Sequence, residues 1–143
     1  MKKLLPLMFM LPVFLLAGCQ TVDNVPEEKM QGFTSAEEVL ALFDLYWDLG
    51  EDRETGARFM HKFKEAPALV VEALVIATPF QREQMLALIG STIAGAMRTD
   101  PVAHAEYIAA LELAAGLDLD EDSVRMMGFV HANVAYFSGK QQR

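Results

Sequence analysis

Apolar residues between positions 34 and 143 recur every three or four residues, and polar residues occupy most positions between them. This period is typical of amphipathic helices, whereas a half-buried strand alternates every second residue. Capping residues, prolines and glycines interrupt the pattern repeatedly. The predicted helices begin near Thr34, Asp52, Pro67, Thr78, Asp100 and Asp120, and the predicted stops include Gly50, Gly116 and Gly139. We therefore expect an all-α domain over residues 34–143, a compact bundle of about six short helices.

The spacing of two prolines favours an arrangement of these helices as antiparallel hairpins. Pro67 and Pro101 lie 34 residues apart, and each opens a predicted helix. Helical-hairpin repeats of the tetratricopeptide type have this period, but their characteristic side-chain pattern is absent here. The spacing therefore indicates paired helices and not membership of that family.

Three predicted helices have distinctive faces. The first places apolar residues on one face, namely Ala36, Val39, Leu40, Phe43, Tyr46 and Trp47. Residues 68–77 are apolar on nearly all sides and rich in β-branched residues, so propensity alone also permits a strand. We favour a buried helix, because no other stretch offers a partner strand, and Glu72 would then mark its exposed stripe. The fourth helix has small residues where a neighbour could approach closely, at Gly90, Ser91, Ala94 and Gly95.

The first nineteen residues predict export and lipidation. Lys2 and Lys3 precede an apolar segment of thirteen residues from Leu4 to Leu16, which is too short for an ordinary membrane helix. The segment ends in Leu16-Ala17-Gly18-Cys19, which resembles the lipobox of bacterial lipoproteins. The resemblance implies that residues 1–18 are a cleaved signal peptide and that the sulfur of Cys19 carries a diacylglyceryl group. It further implies two or three acyl chains, which would attach the protein essentially permanently to a membrane.

Gln20 bears on which membrane the acyl chains enter. In the Gram-negative sorting system, Asp after the lipidated cysteine favours retention in the inner membrane. Gln20 therefore indicates the outer membrane, with the domain facing the periplasm, unless the source is Gram-positive. Residues 19–33 are predicted to be the lipidated cysteine followed by a flexible tether, because the segment is polar and lacks an apolar period. Such a tether would hold the domain on the order of 20 Å from the lipid.

Net charge excludes one class of partner. Removal of residues 1–18 leaves 12 − 2 = 10 basic against 20 acidic residues, a formal charge of −10. Non-specific nucleic-acid binding requires clustered Lys and Arg and is therefore not expected. The acidity either keeps a tethered protein soluble or steers a basic partner. With Cys19 acylated, the mature chain has no thiol left for a disulfide.

A search for catalytic and metal-binding motifs predicts neither an enzyme nor a cofactor site. His61, His104 and His131 lack a second histidine or cysteine at ligand spacing, and Ser91 falls in mid-helix without the setting of a nucleophile. Residues 118–122 resemble the opening of a calcium loop. Ser123 and Phe129 stand where that loop needs glycine and a bidentate glutamate, so these acids are better explained by helix capping.

The last predicted helix is apolar on two sides. Val124, Met127, Val130, Val134 and Phe137 form one stripe, and Met126, Phe129, Asn133 and Tyr136 form another. Such a helix is either central in its fold or keeps one side for a partner. We take Met126, Phe129 and Tyr136 as candidate partner-binding residues.

These observations together predict a non-enzymatic lipoprotein that binds or assembles an envelope component, with a membrane contact through acyl chains and a protein partner. Its shape is analogous to that of small helical lipoproteins that pilot secretin subunits, although no motif connects it to them. The main alternative is an acidic inhibitor or immunity-type lipoprotein that neutralises a basic toxin or enzyme. A hydrolase with a dispersed site and a purely structural lipoprotein are further alternatives.

Overall fold

Helices are the only regular secondary structure between residues 35 and 143, the part of the chain that the computed structural model describes. They are α1 (Ala36–Asp48), α2 (Arg53–Glu65), α3 (Pro67–Ile76), α4 (Pro79–Thr99), α5 (Pro101–Ala115) and α6 (Glu121–Gln141). The predicted six-helix, all-α fold is therefore confirmed over these residues. The predicted signal peptide, Cys19 and the tether lie outside the described residues.

Side-chain caps determine where five of the six helices begin. The cap residues Ser35, Asp52, Thr78, Asp100 and Asp120 each accept a hydrogen bond from the backbone N–H three residues later. These bonds satisfy amides that have no partner within the helix. Thr78 and Gln81 form a complete capping box. In α1 the cap is Ser35, one residue after the predicted position.

The core forms around α3, which packs against all five other helices. Val70, Val71 and Leu74 of this helix are fully buried, whereas Glu72 is exposed. The prediction of a buried helix with one exposed stripe is therefore confirmed. Around α3, the rings of Phe43 and Phe59 meet edge to face at 5.8 Å. Burial of each such ring contributes about 1.5–3 kcal/mol to stability.

The C-terminus of α3 is closed by a side chain of the next helix. The Arg82 guanidinium donates to the carbonyl oxygens of Leu74, Val75 and Ala77 at 2.7, 3.0 and 3.1 Å. These carbonyls include the last ones of α3, which have no partner further along the helix. One arginine therefore holds the two-residue connection between α3 and α4 in place.

The most extensive helix pair is α4 with α6, two helices that are not neighbours in sequence. Gly90 permits this contact, because a β-carbon there would lie 2.9 Å from the backbone carbonyl carbon of Asn133. The predicted role of the small residue at position 90 is thereby confirmed. Farther along, the amide nitrogen of Gln141 would lie 3.9 Å from a β-carbon at Gly95.

Two expectations about individual positions are corrected. The helix α6 does not end at Gly139 but continues to Gln141, because one glycine costs only about 1 kcal/mol and packing against α4 continues beyond it. In α1, Trp47 is 38 % exposed, and Leu42 takes a place in the core that the sequence pattern did not assign to it. Trp47 lies at the edge of the apolar stripe, where spacing alone does not separate buried from exposed positions.

None of the helices between residues 35 and 143 has both the length and the apolar character needed to cross a membrane.

Candidate protein-binding surfaces

The three residues of α6 that are predicted to bind a partner differ in their exposure to solvent. Met126 is only 2 % exposed and lies in the core, whereas Phe129 and Tyr136 are 44 % and 57 % exposed. The reason is that α6 packs mainly against α3 and α4, so that only one of its sides is buried. The central position that α6 could have occupied belongs to α3. Phe129 and Tyr136 therefore remain available to a partner, and the Met126 side chain is not accessible.

A second candidate surface, besides the exposed side of α6, is a groove that the sequence pattern did not predict. We call it the aromatic groove. It consists of two adjoining depressions of about 390 and 150 Å³ that share Tyr46, Glu51 and Leu88 in their walls. Trp47, Gln84, Ala87, Ser91 and Phe137 complete the smaller one. Arg53, Gly56, Ala57, Met60, Thr92 and Tyr107 complete the larger one. The groove thus joins residues of five helices and the turn between α1 and α2.

That turn positions Glu51 in the wall of the groove. The backbone N–H of Glu51 donates to the carbonyl of Tyr46, and that of Gly50 donates to the carbonyl of Trp47, both at 2.9 Å. This pair of bonds is a Schellman motif, which requires a left-handed residue and here has Gly50 at φ 73°. Glu51 is also left-handed, at φ 61°, although it carries a β-carbon. This conformation costs about 1–2 kcal/mol, so the fold holds Glu51 here against a local preference.

Gly56 lets an aromatic ring lie across the first turn of α2. A β-carbon at position 56 would lie 3.0 Å from Cε2 of Tyr46, so any larger residue would displace the ring. Burial raises the pKa of the Tyr46 phenol, and the Glu51 carboxylate raises it further. Burial is also the largest cause that raises the pKa of Tyr107. Both phenols therefore keep their protons at neutral pH and can donate hydrogen bonds to a bound partner.

Aromatic side chains extend the groove on both sides. The exposed ring of Phe80 meets Trp47 edge to face at 5.3 Å. On the other side, Tyr136 meets Phe137 at 5.2 Å, and the Lys140 ammonium lies 4.6 Å from the centre of the Tyr136 ring. Tyr136, one of the residues predicted from sequence, therefore lies at the edge of the aromatic groove.

No protein-family model, curated protein or solved structure matches this chain.

None of the three histidines lines the aromatic groove. His61 lies on α2, His104 on α5 and His131 on α6. Nε2 of His61 lies 3.0 Å from a carboxylate oxygen of Glu65, one turn later on the same exposed surface. Among residues 35–143, no three histidine, cysteine or acidic side chains are grouped so that they could hold a metal ion.

Two of the acids that resemble a calcium loop have structural roles at the start of α6. Oδ1 of Asp120 accepts a hydrogen bond from the backbone N–H of Ser123 at 2.8 Å. Asp122 pairs with Arg125 at 2.6 Å. The interpretation of these acids as helix-capping residues is confirmed for Asp120.

Two further depressions lie outside the aromatic groove. One, of about 420 Å³, lies beside Lys64, whose ammonium donates to Glu106 at 2.7 Å, so these two charges already pair with each other. The other, of about 380 Å³, lies between the N-terminus of α1, the exposed stripe of α3 and the N-terminus of α6. We call it the acidic groove, and its walls are Ser35, Ala36, Glu37, Leu69, Glu72, Val75, Ile76, Asp120 and Ser123.

Sequence patterns could not have revealed either groove. The residues of the aromatic groove come from positions as distant as 46, 88 and 137, and no motif connects them. The only local signal was the pair of apolar residues Tyr46 and Trp47 at the end of α1. Their spacing fitted a buried stripe equally well, so the pattern was ambiguous.

Proposed function

We propose that this chain is an outer-membrane lipoprotein, anchored through acyl chains on Cys19, that faces the periplasm and binds an envelope protein without catalysing a reaction. The aromatic groove is the observation on which the binding function rests. Trp47 in its wall and Phe80 and Tyr136 beside it are exposed aromatic residues, a class that is enriched at protein interfaces. A groove bordered by large exposed rings favours contact with another protein over a solvated surface.

The position of the domain along the chain supports a partner close to the membrane. Ser35 follows Cys19 by sixteen residues, which can span at most about 55 Å even when fully extended. A partner held in or near the same membrane would therefore meet the domain at a high effective concentration. This geometry suits a factor that stabilises or assembles an envelope component.

Site-specific photo-cross-linking in living cells tests the proposal. A photoreactive residue replaces Gln84 in the wall of the aromatic groove or, as a control, the exposed Glu112 on α5. We expect one envelope protein to cross-link from position 84 and not from position 112. Truncation of the aromatic anchor in Trp47→Ala should reduce the adduct about tenfold or more, because such anchors dominate interface energies.

Lipidation is tested in the same cells. A Cys19→Ala variant should lose the adduct or form it with mislocalised protein, because the domain would no longer be delivered to the outer membrane. Equal adducts from positions 84 and 112, or none from either, would contradict a dedicated partner at this groove.

A further inference from the structure

The acidic groove combines an apolar floor with charges of a single sign. Leu69, Val75 and Ile76 supply the apolar part of its wall, and Ile76 is 51 % exposed. Every ionisable residue that lines it is an acid, namely Glu37, Glu72 and Asp120. An exposed aliphatic surface bordered by carboxylates is suited to a ligand that is both apolar and positively charged.

The carboxylates differ in how they are used within the chain. Asp120 caps α6, and the hydrogen bonds from Ser123 lower its pKa, so that it is ionised at neutral pH. The side-chain carboxylates of Glu37 and Glu72 make no hydrogen bond or ion pair within residues 35–143. Two unpaired negative charges, Glu72 on the α3 stripe and Glu37 on the first turn of α1, are therefore available to a ligand.

The shape of the groove matches a short helical segment. Its floor is the exposed stripe of α3, where Leu69, Glu72 and Ile76 follow each other at helical spacing. The ten residues of α3 extend over about 15 Å, which is two to three turns of a helix lying alongside it. The first turns of α1 and α6 form the two sides.

The charges of this chain argue against the two nearest alternative occupants. Residues 20–33 carry three acids and one lysine, so the preceding segment is not complementary to the groove. A second copy of residues 35–143, with nine basic and seventeen acidic residues, carries a net charge of −8 and would be repelled.

We propose that the acidic groove binds an amphipathic, Lys- or Arg-bearing helical segment of a partner protein. Apolar side chains of the segment lie on Leu69, Val75 and Ile76, and its basic side chains pair with Glu37 and Glu72. The acidic groove shares no lining residue with the aromatic groove, so binding at the two surfaces can be tested separately.

A synthetic peptide tests the proposal directly. The probe is a fluorescein-labelled helix of about 14 residues, with leucines at helical spacing on one face and lysines on the other. Its anisotropy is titrated with the full-length protein in a non-ionic detergent, with protein-free micelles as the blank. A Glu37→Gln/Glu72→Gln variant should bind about five- to tenfold more weakly, and Ile76→Ser should also weaken binding.

Matched controls separate the groove from the general negative charge of the protein. Glu83→Gln/Glu112→Gln removes two exposed acids that line none of the described grooves, and it should change the affinity by less than about twofold. A peptide with glutamates in place of lysines should not bind. Thermal unfolding of each variant checks that the fold is retained.

Three outcomes would overturn the proposal. The two double variants could weaken binding by the same factor, or the glutamate peptide could bind as tightly as the lysine peptide. The third is that the lysine peptide does not bind at millimolar protein. None of these results would alter the expected cross-links at the aromatic groove.

Discussion

The backbone of Asn133 on α6 lies directly against Gly90 on α4, and a β-carbon at position 90 would come within 2.9 Å of the Asn133 carbonyl carbon. The atom in the way is backbone and cannot rotate aside as a side chain could. A Gly90→Ala substitution must therefore separate the two helices in the most extensive helix pair of the bundle. We expect the free energy of unfolding to fall by about 1–3 kcal/mol, as measured by urea denaturation.

Gly128, on the same helix as Asn133, provides the matched control. A β-carbon at position 128 would meet nothing within 4 Å. Because alanine is a better helix former, Gly128→Ala should raise the free energy of unfolding by about 0.5–1 kcal/mol. If both alanine substitutions destabilised the protein, this account of the α4–α6 contact would be contradicted.

Arg82 should contribute more to stability than a typical surface arginine. In Arg82→Met the aliphatic stem is largely kept, but the three hydrogen bonds to the end of α3 are lost. We expect a loss of about 2–3 kcal/mol, because a charged donor is removed from partly buried carbonyl groups. Thermal and urea unfolding measure the change.

The exposed Arg98, in the last turn of α4, serves as the comparison. Arg98→Met removes only a favourable interaction with the helix dipole, so its cost should stay below about 1 kcal/mol. If the two methionine variants were equally stable, the capping of α3 by Arg82 would not be a significant source of stability.

Two helix caps should make stability depend on pH in the acid range. Hydrogen bonds from Thr55 lower the pKa of Asp52 from its ordinary value of 3.8, and those from Ser123 lower the pKa of Asp120. Because these pKa values are lower in the folded state, the folded protein binds fewer protons near pH 4. The contribution of these two carboxylates to stability is fully present above the pKa that they have in the unfolded state. It is lost as pH falls through their lower pKa in the folded state.

An Asp52→Ser/Asp120→Ser variant keeps both caps but removes both titrating groups. The difference in unfolding free energy between pH 7 and pH 3 should be smaller in this variant than in the wild type. Asp118→Ser, which changes an acid outside the caps, should leave that difference nearly unchanged. If the double variant kept the full wild-type difference in unfolding free energy, other carboxylates would be responsible for the loss of stability at acid pH.

Lipid attachment should depend on the sulfur of Cys19. Because lipidation would occur on its sulfur, Cys19→Ser should abolish the incorporation of labelled palmitate and remove the protein from the outer-membrane fraction. The unprocessed chain should also run larger on a gel, because the signal peptide would remain. Retention of the label in this variant would contradict the lipobox assignment.

Local signals predicted the helices because each cap acts within three residues of its helix. Asp52, Thr78 and Asp120 satisfy the first amides of their own helices, so their position in the sequence is enough to place three helix starts. The same reasoning failed at Gly139, where the cost of a glycine is smaller than the gain from packing against α4. It also failed to separate Met126 from Phe129, since both positions are apolar and only the packing of α6 buries one of them.

The sequence alone therefore determined the helical character of residues 35–143 and most helix boundaries, because hydrophobic period and capping act over a few residues. It also provides the only basis for the predicted lipid anchor. The tertiary structure decided that α3 and not α6 is central, that Trp47 is exposed, and that Tyr46, Leu88 and Phe137 share one groove. These properties depend on how residues far apart in the chain pack together, and a period along one helix contains no information about its neighbours.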